Sequence, residues 1–404
     1  MSGVGSSRLT GLLNYEDVRS AAARRVPRSI FEYVDGGAED EVTLKANREA
    51  FAELSFAPRN GVWVGDPQLK TTVLGQNISM PVLTAPCGGM RLLHPDGDLA
   101  VARAAAAAGT IHVATSASGF SLEEIADVPG LKVFQAYRFS NEKAMKSLVE
   151  RARTAGYFGL MATIDTPVAG IRERDFRNGF SYDMRINLRN IVRMAPKVIN
   201  RPGWVLRFMR DGMPFALPNT ADITPDGKPM ELSSLSRTGK ESHSPSWDDI
   251  VWMRRYWDGP LIIKGVLTVA DAHRAKALGA DAIVVSNHGG RQLDGAPATI
   301  RALAAIVEAV GDGAEVLLDS GVRRGSDVVK ALATGARAVL VGRAAAYGLA
   351  AGGQPGVEHV LAQLNNQLTR TMQLLGAGSV EELDETWLTP AASAAQENVA
   401  VGAP

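Results

Sequence analysis

Ala282-Ile-Val-Val-Ser-Asn-His-Gly-Gly-Arg-Gln-Leu-Asp294 sets a short, wholly apolar run directly before a polar, glycine-containing turn. The run Ala282–Val285 reads as a buried strand, so His288 and Arg291 should project from its C-terminal end. A base beside a fixed cation suits a small acid with an abstractable proton next to its carboxylate. Arg291 can hold the carboxylate through a forked, charge-assisted pair. His288 can take the proton, because imidazole ordinarily titrates near neutrality. Taken alone, the stretch fits equally well a loop with a surface arginine and a hydrogen-bonded histidine.

Reading outward, similar short apolar runs recur at Val82–Ala85, Ile111–Ala114, Val133–Ala136, Gly159–Ile164, Leu261–Lys264, Val316–Leu318 and Ala338–Val341. Ala-rich amphipathic segments such as Leu99–Ala108 and Asn141–Ala155 lie between them. The alternation predicts parallel strands joined by crossover helices. Eight units predict an α/β fold, a (β/α)8 TIM barrel, with its active site at the C-terminal ends of the strands. An open doubly wound sheet is disfavoured, since no GxGxxG turn follows any of the strands. Residues 10–60 precede the barrel and contain a helical stretch, Tyr15–Val34. A segment of roughly residues 180–245 separates strands four and five, too long for a plain connection and therefore expected to be functional. The expected organisation is one domain over residues 1–388, with that insertion inside it, and a disordered Ala/Gly-rich tail over 389–404.

Composition narrows the function. The 404 residues are 46% apolar and 21% charged, as in soluble globular proteins. Acids and bases balance at 43 each, so nothing points to nucleic acid. A single cysteine, Cys87, forbids an intramolecular disulfide and fits a reducing, cytoplasmic compartment. The N-terminus does not read as a signal peptide, and no uncharged apolar run is long enough for a spanning helix. No metal is expected.

The strand ends carry a consistent set of polar and small residues. Pro86-Cys87-Gly88-Gly89 follows strand one, and Thr115-Ser116 ends strand two. Gln135 and Tyr137 end strand three; Thr163 and Asp165, then Arg172, end strand four. Lys264 ends strand five, and Ser286 and His288 end strand six. Small residues after strand one would let a planar ligand approach the backbone. After strands seven and eight, Asp319-Ser320-Gly321-Val-Arg323-Arg-Gly325 and Gly342-Arg343 offer main-chain amides, helix N-termini and cations. That combination predicts a phosphate site, which is common in barrels and by itself does not identify a flavin.

These motifs, together with Gly37-Ala-Glu-Asp40 and Arg172-Glu-Arg-Asp175, resemble the FMN-dependent L-2-hydroxy acid oxidase/dehydrogenase family over about residues 12–380. The resemblance implies FMN as cofactor, His288 as the base, and Asp165 as the group stabilising its imidazolium. It implies that Tyr33, Tyr137, Arg172 and Arg291 bind substrate. Flavin contacts would come from Pro86, Cys87, Gly88, Thr115, Gln135, Thr163, Lys264 and Ser286. Ribityl and phosphate contacts would come from Asp319, Ser320, Gly321, Arg323, Gly342 and Arg343. Lys264 would stabilise negative charge on the reduced ring. The pattern departs from glycolate oxidase at Ala117 and Ala169, where that enzyme has bulkier side chains, and this implies a roomier pocket. Gly88, the Asp319-Ser-Gly form and the Arg-Glu-Arg-Asp run lean toward the mandelate/lactate dehydrogenase branch. Family members are often tetramers. The electron acceptor stays open between a quinone and oxygen, and a non-catalytic barrel holding a phosphorylated metabolite remains the reading from another class.

The insertion has its own character. Between residues 185 and 210 it carries seven cations and no acids, followed and interleaved by Trp204, Leu206, Phe208 and Met209. Basic charge with apolar side chains suits an anionic membrane surface, with Trp204 and Phe208 as the inserting residues. An ordinary helix packed on the barrel wall is the alternative. From Pro202-Gly-Trp204 to Asp211-Gly-Met-Pro214 the segment resembles the membrane-binding insert of mandelate dehydrogenase, implying a peripheral place on the inner face of the cytoplasmic membrane. Residues 219–245 read as a mobile active-site loop.

Overall fold

A computed structural model describes residues 9–139, 142–178, 199–212, 216–224, 227–231, 242–243 and 245–390. Eight parallel strands close into a barrel. In chain order they are β1 (Val82–Thr84), β2 (His112–Thr115), β3 (Lys132–Ala136), β4 (Gly159–Thr163), β5 (Leu261–Val266), β6 (Ala282–Val285), β7 (Glu315–Leu318) and β8 (Ala338–Val341). Each is paired with its neighbours in sequence order, and β8 closes on β1 through Val339 opposite Val82. All eight predicted strands are therefore present. Their apolar runs are buried on both faces, as parallel strands under helices require.

Leu83, Val113, Met161, Ile262, Val284 and Leu340 fill the barrel interior in a packed layer. Alternate residues such as Val82, Ala114, Phe134, Leu160 and Ile263 face outward into the helix layer. The hairpin Thr71–Val73/Gln76–Ile78 contributes Val73 and Ile78 to the interior cluster and so plugs its N-terminal end. The open end is thus the C-terminal one.

Among the described residues, three α-helices precede the barrel: α1 (Tyr15–Arg25), α2 (Arg28–Asp35) and α3 (Val42–Glu49). Asn14 starts α1 by accepting from the amides of Glu16 and Asp17 at 2.8 and 3.1 Å. Asp294, at the end of the β6 turn, accepts from the amides of Val42 and Thr43 at 3.1 and 2.8 Å, so α3 is capped by the barrel mouth itself. Leu388–Pro390 pairs antiparallel with Leu54–Phe56. Thr389 and Pro390, assigned from sequence to the tail, thus pair in a strand; residues 391–404 lie outside the described residues.

Of the insertion, the basic run 185–198 lies outside the described residues. The helix Pro202–Arg210 is described, and it corrects one expectation. Trp204 faces the barrel: it is 6% exposed, its Nε1 donates to the Leu92 carbonyl at 2.8 Å, and Phe208 stacks on it at 4.7 Å. An indole N–H buried with a partner is satisfied and has no reason to enter lipid. The outward residues are Leu206, Arg207, Met209 and Arg210. Among the described residues no helix is long and apolar enough to cross a membrane.

Candidate active site

A cavity of about 310 Å3 opens at the C-terminal ends of the strands. Its wall includes Tyr33, Tyr137, Arg172, Lys264, His288 and Arg291, with Pro86, Cys87 and Gly88 on the β1 side. Asp319, Ser320, Gly321, Arg323, Gly342 and Arg343 line its other end. The residues picked from scattered strand ends therefore converge.

His288 sits in the left-handed region, with φ of 59°. A non-glycine residue there is uncommon, and such strain is characteristic of sites where the surroundings dictate the backbone. The turn is held by the His288 amide donating to Ser286 Oγ at 3.1 Å. On the imidazole, Nδ1 faces Asp165 Oδ1 at 3.2 Å and Nε2 faces Tyr137 Oη at 3.5 Å. Burial alone would raise the Asp165 carboxyl, but the charges of His288 and Lys264 hold it below the usual carboxylate range. Its second oxygen, Oδ2, is buried without a hydrogen-bond partner. Asp165 approaches this closely because of Gly265, which bulges β5 at φ of 103°; a Cβ there would lie 2.6 Å from the Asp165 Cβ.

Two arginines face the cavity close to Tyr33, with guanidinium carbons 5.4 Å (Arg172) and 5.2 Å (Arg291) from its ring centroid. Arg172 Nε lies 3.4 Å from Asp175 Oδ2. Arg291 Nη1 donates to the carbonyls of Tyr33 and Gly36 at 2.7 and 2.9 Å, at the C-terminal end of α2. Burial and the nearby Arg172 and Arg343 push Arg291 down to about 10, which leaves it a cation at neutral pH. A concentration of positive charge with too few anions of its own is an anion site.

Thr115, Gln135, Thr163 and Ser286 are fully buried beneath the wall, not part of it. Thr115 Oγ1 donates to Gln135 Oε1 at 2.7 Å, and Gln135 Nε2 to Thr163 Oγ1 at 3.0 Å, which ties β2, β3 and β4 together. Lys264 is 3% exposed, donates to Ser286 Oγ at 2.9 Å and pairs with Asp319 Oδ2 at 3.2 Å. Burial would lower its pKa, but Asp319 and Asp165 raise it, so it is a permanent cation. Burial pushes the Cys87 thiol up to about 11, so it is a neutral wall group.

At the phosphate end the fit is also good. Arg323 Nε is buried without a partner, a donor awaiting an acceptor. The helices Gly325–Ala333 and Arg343–Gly352 both begin here. Arg343 lines the cavity, and its guanidinium also donates to the carbonyls of Val34, Gly289 and Gly36 at 2.9, 2.8 and 2.8 Å. It clips the mouth loops to α2, and two of its five N–H donors remain for an anion. On the other side Gly88 leaves little to spare, since a Cβ there would be 3.3 Å from the Ala117 Cβ. A cavity lined by a buried lysine, by Gly88 and by an arginine with an orphan donor fits FMN.

Sequence reasoning missed Met90 and Leu217, which line the cavity, and the part played by Gln292; Thr220, which also lines it, lies in the 219–245 segment read as an active-site loop. Gln292 Nε2 donates to the carbonyls of Asp165 and Val168 at 3.1 and 2.9 Å, locking the β4 turn. Gln292 stood in the decisive motif and could have been found; Leu217 sits in the insertion with no local signal.

The profile of the FMN-dependent dehydrogenase family matches residues 22–390. The chain is 43% identical to the pre-mycofactocin synthase of Mycolicibacterium smegmatis over 90% of each chain. It is 41% identical to the (S)-mandelate dehydrogenase of Pseudomonas putida over 93% of this chain and 94% of that one. The crystal structure of the monotopic membrane protein (S)-mandelate dehydrogenase superposes with a TM-score of 0.87 at 39% identity, covering 94% of this chain and all of the other. The chain belongs to the FMN-dependent dehydrogenase family, the flavoenzymes that oxidise or dehydrogenate α-hydroxy acids.

Proposed function

We propose that the cavity takes an L-2-hydroxy acid with a side chain larger than that of glycolate, in the manner of lactate or mandelate, and yields the 2-oxo acid. The observation that carries this reading is the convergence of the His288–Asp165 pair with Arg172 and Arg291 on one cavity. FMN, when bound, supplies a two-electron acceptor. The two arginines hold the carboxylate, and Arg291, tied through Nη1, keeps its fork in a fixed place. His288 Nε2 takes the proton, and Asp165 stabilises the resulting imidazolium from the Nδ1 side. Tyr33 and Tyr137 orient the substrate, and Lys264 sets a positive charge beside the ring site. Arg323, the glycine amides and the helix N-termini hold the phosphate. Ala117 and Ala169 in the wall support the larger side chain. The paired arginines favour a free carboxylate as the group bound.

The electrons go on to a quinone in this reading, from an enzyme lying on the cytoplasmic face of the membrane as a homotetramer. Support comes from the likeness to a monotopic membrane protein and from the outward face of the helix Pro202–Arg210. Anaerobic rapid mixing with a panel of 2-hydroxy acids tests the first part: lactate or mandelate should bleach the flavin faster than glycolate. Mixing the reduced enzyme with a quinone or with oxygen tests the second, and faster recovery with oxygen would favour an oxidase.

A further inference from the structure

Asp35, the last residue of α2, is 8% exposed and collects four donors. Arg19 gives Nε and Nη2 at 2.6 and 2.8 Å, Arg174 gives Nη1 at 2.7 Å, and Tyr347 gives its hydroxyl at 2.5 Å. Burial would raise this carboxyl, but Arg19, Tyr347 and Arg174 hold it far below the ordinary range, so it is always an anion. Arg174 also bonds Glu41 through Nη2, and Glu41 accepts from the Gly37 amide at 2.9 Å.

The position of this cluster is what matters. Arg174 lies in the helix Glu173–Arg177, whose N-cap residue is Arg172. Five residues cannot hold a helix in place unaided. Its described ion pairs to the α2 end run through Arg174, beside a main-chain bond from the Glu39 amide to the Ile171 carbonyl at 2.8 Å. Meanwhile the carbonyls of Tyr33 and Gly36, which flank Asp35, hold Arg291. One short segment therefore grips both cavity arginines, Arg291 through its backbone and Arg172 through the Asp35–Arg174 pair. Neither Asp35 nor Arg174 lines the cavity. Two arginines against Asp35 and Glu41 make the cluster neutral, so its effect on the cavity is geometric.

We infer that Asp35 and Arg174 are positioning residues that set the spacing of the Arg172/Arg291 carboxylate clamp. The inference rests on the hydroxy-acid reading above. The test uses FMN-loaded enzyme, with phenylacetate and phenylacetamide as non-reacting probes read by flavin absorbance and the best 2-hydroxy acid read by turnover. Arg174→Met should weaken phenylacetate binding and raise KM by about 10–100-fold, the scale of an ångström misplacement, while kcat falls much less. Phenylacetamide, which lacks the charge, should bind as to wild type, and Arg174→Lys should recover part of the loss. Equal weakening of both probes, or no change in either, overturns the inference. A wild-type enzyme with no preference for phenylacetate sinks the functional reading itself; a preference that survives in Arg174→Met sinks only this step. Should Arg174→Met fail to retain FMN, Glu41→Gln removes one partner of Arg174 and should show a smaller loss of the same selectivity; an unchanged selectivity there overturns the inference.

Discussion

Asp165→Asn isolates the electrostatic half of the proposed base. The substitution keeps the shape and removes one charge 3.2 Å from His288 Nδ1. At that separation two unit charges interact by about 5 kcal/mol at an effective dielectric near ~20. The His288 side chain is 21% exposed and Asp165 12%, so solvent and the retained amide dipole reduce this to roughly 2–4 kcal/mol. The charge acts on the imidazolium, which forms only as the proton is taken, so the loss falls on the chemical step. At about 1.4 kcal/mol per decade, flavin reduction should slow by roughly 30–1000-fold. FMN content should be unchanged, since the phosphate end lies elsewhere in the cavity. The assay is anaerobic stopped-flow bleaching at saturating substrate. Reduction within about three-fold of wild type in an FMN-replete variant would refute the assignment of Asp165 to the imidazolium, because it corresponds to under ~1 kcal/mol.

Other outcomes follow from the same geometry. Arg291→Lys should cost about 2–3 kcal/mol in kcat/KM, because an ammonium cannot reproduce the fork, and steady-state kinetics will show it. Ala117→Trp should fill the wall opposite Gly88 and lower kcat/KM for mandelate relative to lactate by at least about 10-fold, measured by direct competition. Asp35 has a depressed pKa, so its stabilisation is present above the ordinary carboxylate range and is lost as pH falls through and below it. Asp35→Asn should therefore lower the melting temperature at neutral pH and flatten its decline between about pH 5 and 2, as followed by calorimetry. Paired Leu206→Asp and Met209→Asp should abolish sedimentation with anionic vesicles at low salt and leave flavin reduction intact; retained sedimentation would move the contact away from this helix.

How far the sequence could be read depends on the kind of contact. The eight strands were legible because a parallel barrel strand is buried on both faces and so is written as an unbroken apolar run. Their C-terminal side chains were legible because the fold sends them all to one end. Trp204 was not: apolar and basic residues on a helix show that it is amphipathic, and either face could have been the one turned to the barrel. The burial of Thr115, Gln135 and Thr163 was also hidden, since a polar side chain at a strand end has the same sequence signature whether it meets a ligand or the next strand.

The N-terminal extension is the feature whose role the sequence conceals most. Backbone carbonyls have no residue identity, yet those of Tyr33, Val34 and Gly36 bind two of the cavity's arginines, Arg291 and Arg343. A helix C-terminus is a fixed partial negative charge with unpaired acceptors, and it holds guanidinium groups without introducing a carboxylate that would compete for them. That choice has a consequence for binding. A side-chain carboxylate at the same place would form its own pair with Arg291 and oppose an incoming anion, whereas neutral carbonyls fix Nη1 and leave the positive charge of the group undiminished. The α2 terminus thus orients the arginine while preserving the field that draws the substrate.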